Sequence, residues 1–369
     1  MSVQIFRADH VGSFLRPPVL LVARDRAMKE HSITAEQLRE VEDAAIRDIV
    51  KFQQDLGFGL VTDGEFRRTY FHVDFLTRLE GVVESGGLPV KFHSASGEMD
   101  YAPPALKVVS PIRHKGSIQG RDFSFLRSVA KAVPKVSIPS PTMLHFRAGS
   151  TAIRTVYPDV EQFFADAAAA YRAEISSLAA AGCTYVQLDD TNLAYLCDSK
   201  QREAVRARGD DPDALLHRYA KLINDSIRDL PDNMSIAMHL CRGNFRSSWI
   251  AEGGYEPVAD ALFNEMNIDS YLLEYDDARS GDFAPLRHLP RGKIVVMGLV
   301  TTKLGELESP QDIRRRIDEA AKYMPLEQMC LSPQCGFSST VHGNDLAFEQ
   351  QAAKCRLVIE VARQVWGAA

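Results

Sequence analysis

No CxxC pair, no apolar run of membrane-spanning length and no excess of positive charge occur in this 369-residue sequence, and each absence removes a class of function. The cysteines, Cys183, Cys197, Cys241, Cys330, Cys335 and Cys355, are scattered, which excludes a disulfide-stapled module and leaves thiols that are free or metal-bound in a reducing compartment. The longest apolar stretch near the start, residues 19–23 (VLLVA), falls far short of the roughly 18 residues of a membrane span and lacks the layout of a signal peptide. A cytoplasmic protein without a membrane partner is the expectation. Lys and Arg number 43 against 49 Asp and Glu, so a net charge of -6 offers no general attraction to a polyanion, and nucleic acid is not an expected partner. Glycine (23) and proline (18) are close to average usage, which excludes collagen-like and low-complexity chains.

What is present is globular: 45% of residues are hydrophobic and 25% charged. The length exceeds the roughly 100–200 residues of an ordinary domain, so two domains or one large barrel are the choices. Short apolar, β-branched runs at residues 3–9, 58–63, 134–139, 184–189, 234–240, 270–275, 293–299 and 328–332 alternate with amphipathic stretches of helical length. The helices carry their own punctuation. Thr34 and Gln37 form a capping box whose helix stops at Gly57, the segment 159–181 ends at Gly182, and Ser309 caps a helix over 309–323 with Pro310 in its first turn. This grammar predicts an α/β fold, a single (β/α)8 TIM barrel forming one catalytic domain over residues 1–369. An insertion is expected after the second strand at about residues 80–120, a region rich in Gly, Ser and Pro without sustained periodicity.

In such a barrel the C-terminal ends of all strands open on one face, so residues distant in sequence converge there. Glu65, Asp189, Asp190, His239, Cys241, Glu274 and Cys335 all fall just at or past predicted strand ends. His239 and Cys241 are two residues apart and therefore share a face of an extended strand. Alone, such a pair reads more readily as a buried cysteine beside a hydrogen-bonded histidine. Cys335 changes that balance, because it sits in the loop SPQCGFSS between Pro333 and Gly336, just past the last strand. Three soft or borderline ligands suit Zn²⁺ in tetrahedral geometry. Glu274 supplies a fourth, since a carboxylate closing the apolar run SYLLE carries a desolvation cost that coordination removes. Two thiolates and one carboxylate leave a site of charge -1, suited to holding a further thiol as a nucleophilic thiolate. Glu274, the most exchangeable ligand, is the expected catalytic position.

At these residues the sequence resembles the catalytic C-terminal barrel of the cobalamin-independent methionine synthase family. The resemblance runs in order through HVGSF, TDGEF, VQLDD, HLCRGNF, LLEYDDARSGDF and SPQCGFSS. It implies zinc on His239, Cys241, Glu274 and Cys335. It also implies a homocysteine ammonium held by Glu65 and Asp189, with its carboxylate at Gly12 and Ser13. Asp9, His10, Asp63 and Asp276 flank these positions and are expected to make supporting hydrogen bonds. Plain structural roles stand beside the functional ones: Asp189 or Asp190 as a cap, Glu65 paired with Arg67 or Arg68, Ser13 as a turn hydroxyl.

The chain also departs from the family, whose full enzymes have two barrels where this length suits one. Where the family stacks a pterin on tryptophan after the third strand, PTMLHFR offers His145 or Phe146. Where it carries an acid histidine past the seventh strand, GLVTTK places Thr301, Thr302 and Lys303. Methyltetrahydrofolate needs a proton on its leaving nitrogen and a methyl-corrinoid does not, so either methylfolate or a methyl-corrinoid stands as the donor. The expected activity is zinc-dependent methyl transfer to a small thiol, homocysteine giving methionine, with a homo-oligomer allowed. Alkyl transfer to another thiol such as coenzyme M is the alternative enzyme, although acidic Glu65 and Asp189 suit an ammonium better than a sulfonate. A non-catalytic zinc-binding barrel is the remaining alternative; its closed coordination would ignore added thiol.

Overall fold

The computed structural model describes residues 5–87, 89–94 and 97–369. The helix signals act where the sequence puts them. Thr34 Oγ1 accepts the Gln37 N–H at 3.2 Å while Gln37 Oε1 accepts the Thr34 N–H at 2.9 Å, and helix Ala35–Leu56 stops at Gly57 with φ 102°. Asp159 caps helix Val160–Ala180, and Ser309 caps helix Pro310–Ala320. Each turns its apolar stripe inward, as with Ile46, Ile49 and Val50 of the first and Ile313 and Ile317 of the last.

The strands are β1 (Leu60–Val61), β2 (Glu80–Ser85), β3 (Val90–Ser94), β4 (Gly97–Tyr101), β5 (Ala105–Arg113), β6 (Val133–Pro134), β7 (Val136–Pro139), β8 (Tyr185–Asp190), β9 (Ser235–Leu240), β10 (Ser270–Glu274), β11 (Ile294–Val300) and β12 (Met329–Pro333). Six of them form one parallel sheet in the order β12-β11-β10-β9-β8-β7, and β1 pairs in parallel with β6. Strands β8, β10 and β11 are buried along their whole length, as a parallel sheet covered on both faces requires. The predicted strand at 3–9 is reduced, among the described residues, to a single parallel bridge from Ala8 to Leu331; residues 3 and 4 lie outside them.

The region 80–120, expected to lack periodic structure, holds two antiparallel ladders, β2 with β5 and β3 with β4. The alternation of β2 and β5 is hard to read because Pro111 interrupts β5 and the β2–β5 register slips between Glu80 and Val82. The β3–β4 hairpin sets Tyr101 on Phe245 with ring centroids 4.4 Å apart and planes within 19°, roofing the ends of the parallel strands. All six cysteines are free and buried, and no helix of the described residues is long and apolar enough to cross a membrane.

Candidate metal centre

Parallel register brings the expected residues to one level: Asp189 of β8 is aligned with His239 of β9, and His239 with Leu272 of β10, two residues before Glu274. The turn after β9 completes the arrangement. Gly243, at φ 88°, lets the chain fold back so that the backbone N–H groups of Gly243 and Asn244 each donate to Cys241 Sγ at 3.4 Å. Asn244 Nδ2 also donates to the Gly336 carbonyl at 2.9 Å, tying this turn to the loop that carries Cys335.

Ligand atoms of His239, Cys241, Glu274 and Cys335 then lie within 4.8 Å of one another, all buried. The two sulfurs are 3.5 Å apart without a disulfide. Two sulfurs bound at about 2.3 Å to one tetrahedral ion stand roughly 3.8 Å apart, so the spacing fits a shared metal. His239 Nδ1 faces the Leu272 carbonyl at 3.1 Å, which leaves Nε2 as the nitrogen available to a metal; it makes no hydrogen bond of ordinary geometry, and neither does Glu274 Oε2. Buried polar atoms left open around one point are what a metal site presents.

The four groups perturb one another strongly. A hydrogen bond with Cys335 and the neighbouring His239 hold the Cys241 thiol well below its ordinary value, whereas burial and then Cys241 push Cys335 well above. Burial opposes a charged His239, yet interaction with the Cys241 sulfur outweighs it and brings the imidazole up to about 9. Glu274 is pushed up to about 7 by burial, with Lys303 working against that rise.

Beside this cluster lies a cavity of about 70 Å³, room for a few waters or the reacting end of a small molecule. Ser13, Glu65 and Asp189 line it together with His239, Cys241 and Cys335. Glu65 holds a left-handed backbone, φ 60°, over-determined by Asp63, whose carboxylate accepts the Glu65 N–H at 2.8 Å, and by Arg16, which donates to the Glu65 carbonyl at 2.7 Å. Burial and then the facing Glu65 carboxylate bring Asp189 up to about 7, and burial raises Glu65 as well. Gly12 stands behind the cavity wall, where an added Cβ would come 3.6 Å from Glu65 Oε1.

Ser13 Oγ accepts the Ser338 N–H at 3.3 Å, so this hydroxyl also serves a turn. A Cβ on Gly336 would overlap Ser13 Oγ. Gly336→Ala is therefore expected to turn Ser13 away and cost about 1–2 kcal/mol, read as a lowered Tm; an unchanged Tm would mean that the hydroxyl is not needed there.

The flanking residues act from behind. Asp9 pairs with buried Lys135 at 2.7 Å, Asp276 is gripped by Arg279 at 3.2 Å, and the His10 ring packs edge-on against Phe14 and Phe58. Asp190 caps, accepting the Leu193 N–H at 2.7 Å, and Glu65 does face Arg68 at 3.5 Å. His145 is engaged by Tyr219 and Ser150, and Phe146 is covered by the Arg208 guanidinium 5.3 Å from its ring. Sequence reasoning missed Asn244 and Arg16. Arg16 gives no local signal, but the Gly-Asn closing HLCRGN was open to reading as a turn whose backbone N–H groups donate to sulfur.

The model of the cobalamin-independent synthase catalytic domain matches residues 6–363. The uncharacterised protein YxjH of Bacillus subtilis is 47% identical over 98% of this chain and 95% of its own length. A methionine synthase of Pyrococcus abyssi is 24% identical over 91% of this chain and 87% of its own. Among solved structures, a candidate vitamin-B12-independent methionine synthase of Listeria monocytogenes superimposes with a TM-score of 0.78 at 36% identity, covering 100% of both chains. A B12-independent methionine synthase from Shewanella, solved with selenomethionine, shares the fold at a TM-score of 0.72 and 22% identity, covering 98% of each chain.

Proposed function

The chain belongs to the cobalamin-independent synthase catalytic-domain family and is a methyltransferase, and from that membership we propose that it methylates the sulfur of homocysteine to give methionine at a zinc centre. The observation that carries the proposal is the meeting of two side-chain sets in one cavity: four metal-ligating groups, and a pair of buried carboxylates matched to an ammonium. His239, Cys241, Glu274 and Cys335 would hold the ion, whose contribution when bound is to keep a thiol ionised at neutral pH. Glu65 and Asp189 receive the substrate ammonium, and Ser13 with the Gly12 backbone receives its carboxylate. We read the parallel segments as one closed (β/α)8 barrel, a single catalytic domain acting in the cytoplasm.

Two observations favour a donor that leaves without protonation, a methyl-corrinoid over methylfolate. The Phe146 face is taken by Arg208, and Lys303 is turned to Asp276 and Glu274. The donor side opens at Arg147, Tyr195 and Ile250 onto a wider cleft of about 880 Å³. The test is metal analysis of the purified protein, then methionine formation from homocysteine with methylcobalamin, methyltetrahydrofolate and its polyglutamate in parallel. About one zinc per chain and turnover with one donor are expected. Zinc that added thiol leaves undisturbed, with no turnover from any donor, would leave a structural metal site in its place.

A further inference from the structure

Glu274 occupies a place that fits two partners. Its Oε1 accepts the Arg242 backbone N–H at 2.9 Å, while Oε2 makes no hydrogen bond and lies 3.8 Å from Lys303 Nζ. That separation is an ion pair but exceeds the roughly 2.7–3.2 Å of a hydrogen bond, so a carboxylate shift of about 1 Å joins them. In its present position the same carboxylate belongs to the four-ligand cluster.

Lys303 is nearly buried, three residues past β11, and its other partner is Asp276 at 3.4 Å. Asp276 is already held by Arg279 through both carboxylate oxygens, at 3.2 and 3.3 Å. Lys303 can therefore turn to Glu274 without stripping Asp276 of its cation.

We propose that Lys303 is the second seat of Glu274: a positioning residue that receives this carboxylate when a substrate thiolate takes its place in the ligand set. This rests on the functional reading above. The exchange balances in charge, since one anion replaces another, the thiol proton leaves to solvent, and the displaced carboxylate stays ionised against the Lys303 ammonium. Without a second seat, Glu274 would be left as an uncompensated buried anion, which is among the costliest states a side chain can be put in. Lys303 thus governs how readily thiol enters, while contributing nothing to holding the metal.

The test uses the protein loaded with Zn²⁺, or with Co²⁺ so that sulfur entry is read from the visible spectrum, and titrated with homocysteine. Lys303→Met is expected to raise the homocysteine Kd at least about tenfold, as loss of a buried charge partner does, with metal affinity equal or higher. Lys303→Arg keeps a cation in reach and should stay within about threefold of the wild type. In a Glu274→Gln background, where no carboxylate needs a seat, Lys303→Met should add less than about a twofold effect. Asp276→Asn controls for general disturbance and should not reproduce the Lys303→Met weakening.

An unchanged homocysteine Kd in Lys303→Met overturns the proposal, as does equal weakening of metal and thiol, or an effect undiminished in Glu274→Gln. Should Lys303→Met fail to fold, Lys303→Gln, which keeps a polar side chain without the charge, takes its place in both comparisons with the same expected and overturning results. Wild-type protein that takes up no zinc, or whose zinc never meets thiol, sinks the functional reading and the proposal with it. Normal wild-type binding with an indifferent Lys303 sinks the proposal alone.

Discussion

Cys335→Ser should lower zinc affinity by more than about a hundredfold, because even partners outside the ligand set cost about 10- to 100-fold when removed. The cause is geometric as well as chemical. Cys335 sits on the loop after β12, whereas His239 and Cys241 both come from the end of β9, so it is the ligand that joins the far side of the sheet to the site. Cys241→Ser should act similarly. Glu274→Gln should keep most of the metal, since both thiolates and the imidazole remain. Titration with a chromogenic chelator measures all three. Full zinc in Cys335→Ser would mean that the ion lies elsewhere.

The same site predicts the proton balance. With His239 brought up to about 9 and Cys335 raised by burial, both carry protons at neutral pH, while hydrogen bonding with Cys335 and the neighbouring His239 hold the Cys241 thiol well below its ordinary value. Zinc uptake at pH 7 should therefore release at least about two protons, from His239 and Cys335, with a fraction more from Glu274, and affinity should climb with pH. Calorimetry in buffers of different ionisation enthalpy reads this number. A value near zero would mean that the ligands are ionised before metal arrives.

Glu274 and Cys335 of the buried cluster were legible in the sequence because each is an anomaly against its surroundings. A carboxylate ending SYLLE and a thiol set between proline and glycine violate the burial habits of their neighbours, and strand-end positions are shared by construction in a parallel α/β fold. Helix boundaries were legible through capping chemistry at Thr34, Asp159 and Ser309, which acts over three residues and needs no tertiary context. The ladder β2–β5 was not, since a register slip and a strand proline break the period-two signal. Arg16 was equally hidden. Its donations to the Glu65 and Arg68 carbonyls and to Ser338 join three loops separated by up to 322 residues, and no local pattern encodes such a contact. The covering of Phe146 by Arg208 is likewise a tertiary fact, and it alters the donor reading more than any motif.

Asp189→Asn and Glu65→Gln should weaken an amino-bearing thiol about ten- to a hundredfold, while leaving the same thiol without its amino group nearly unaffected. A carboxylate paired with an ammonium makes a charge-assisted hydrogen bond worth about 1.5–3 kcal/mol, and the amide keeps the shape but loses most of that attraction. The two carboxylates face each other in one buried wall, and mutual repulsion adds to burial in bringing Asp189 up to about 7. An incoming ammonium relieves that repulsion, so binding of the amino thiol should tighten as pH rises through about 7 and slacken below it. Stability of the free protein should run the opposite way. Unfolded Asp titrates near 3.9, so between about pH 4 and 7 the folded protein holds a proton that the unfolded chain has released, and stability falls as pH rises across that window. Asp189→Asn should flatten this slope. Denaturant titrations at several pH values, with competition assays of both thiols on zinc-loaded protein, test the two sides separately. If both thiols weaken equally and the pH slope persists in Asp189→Asn, the carboxylates only support the end of β8, and a thiol without an ammonium becomes the better substrate.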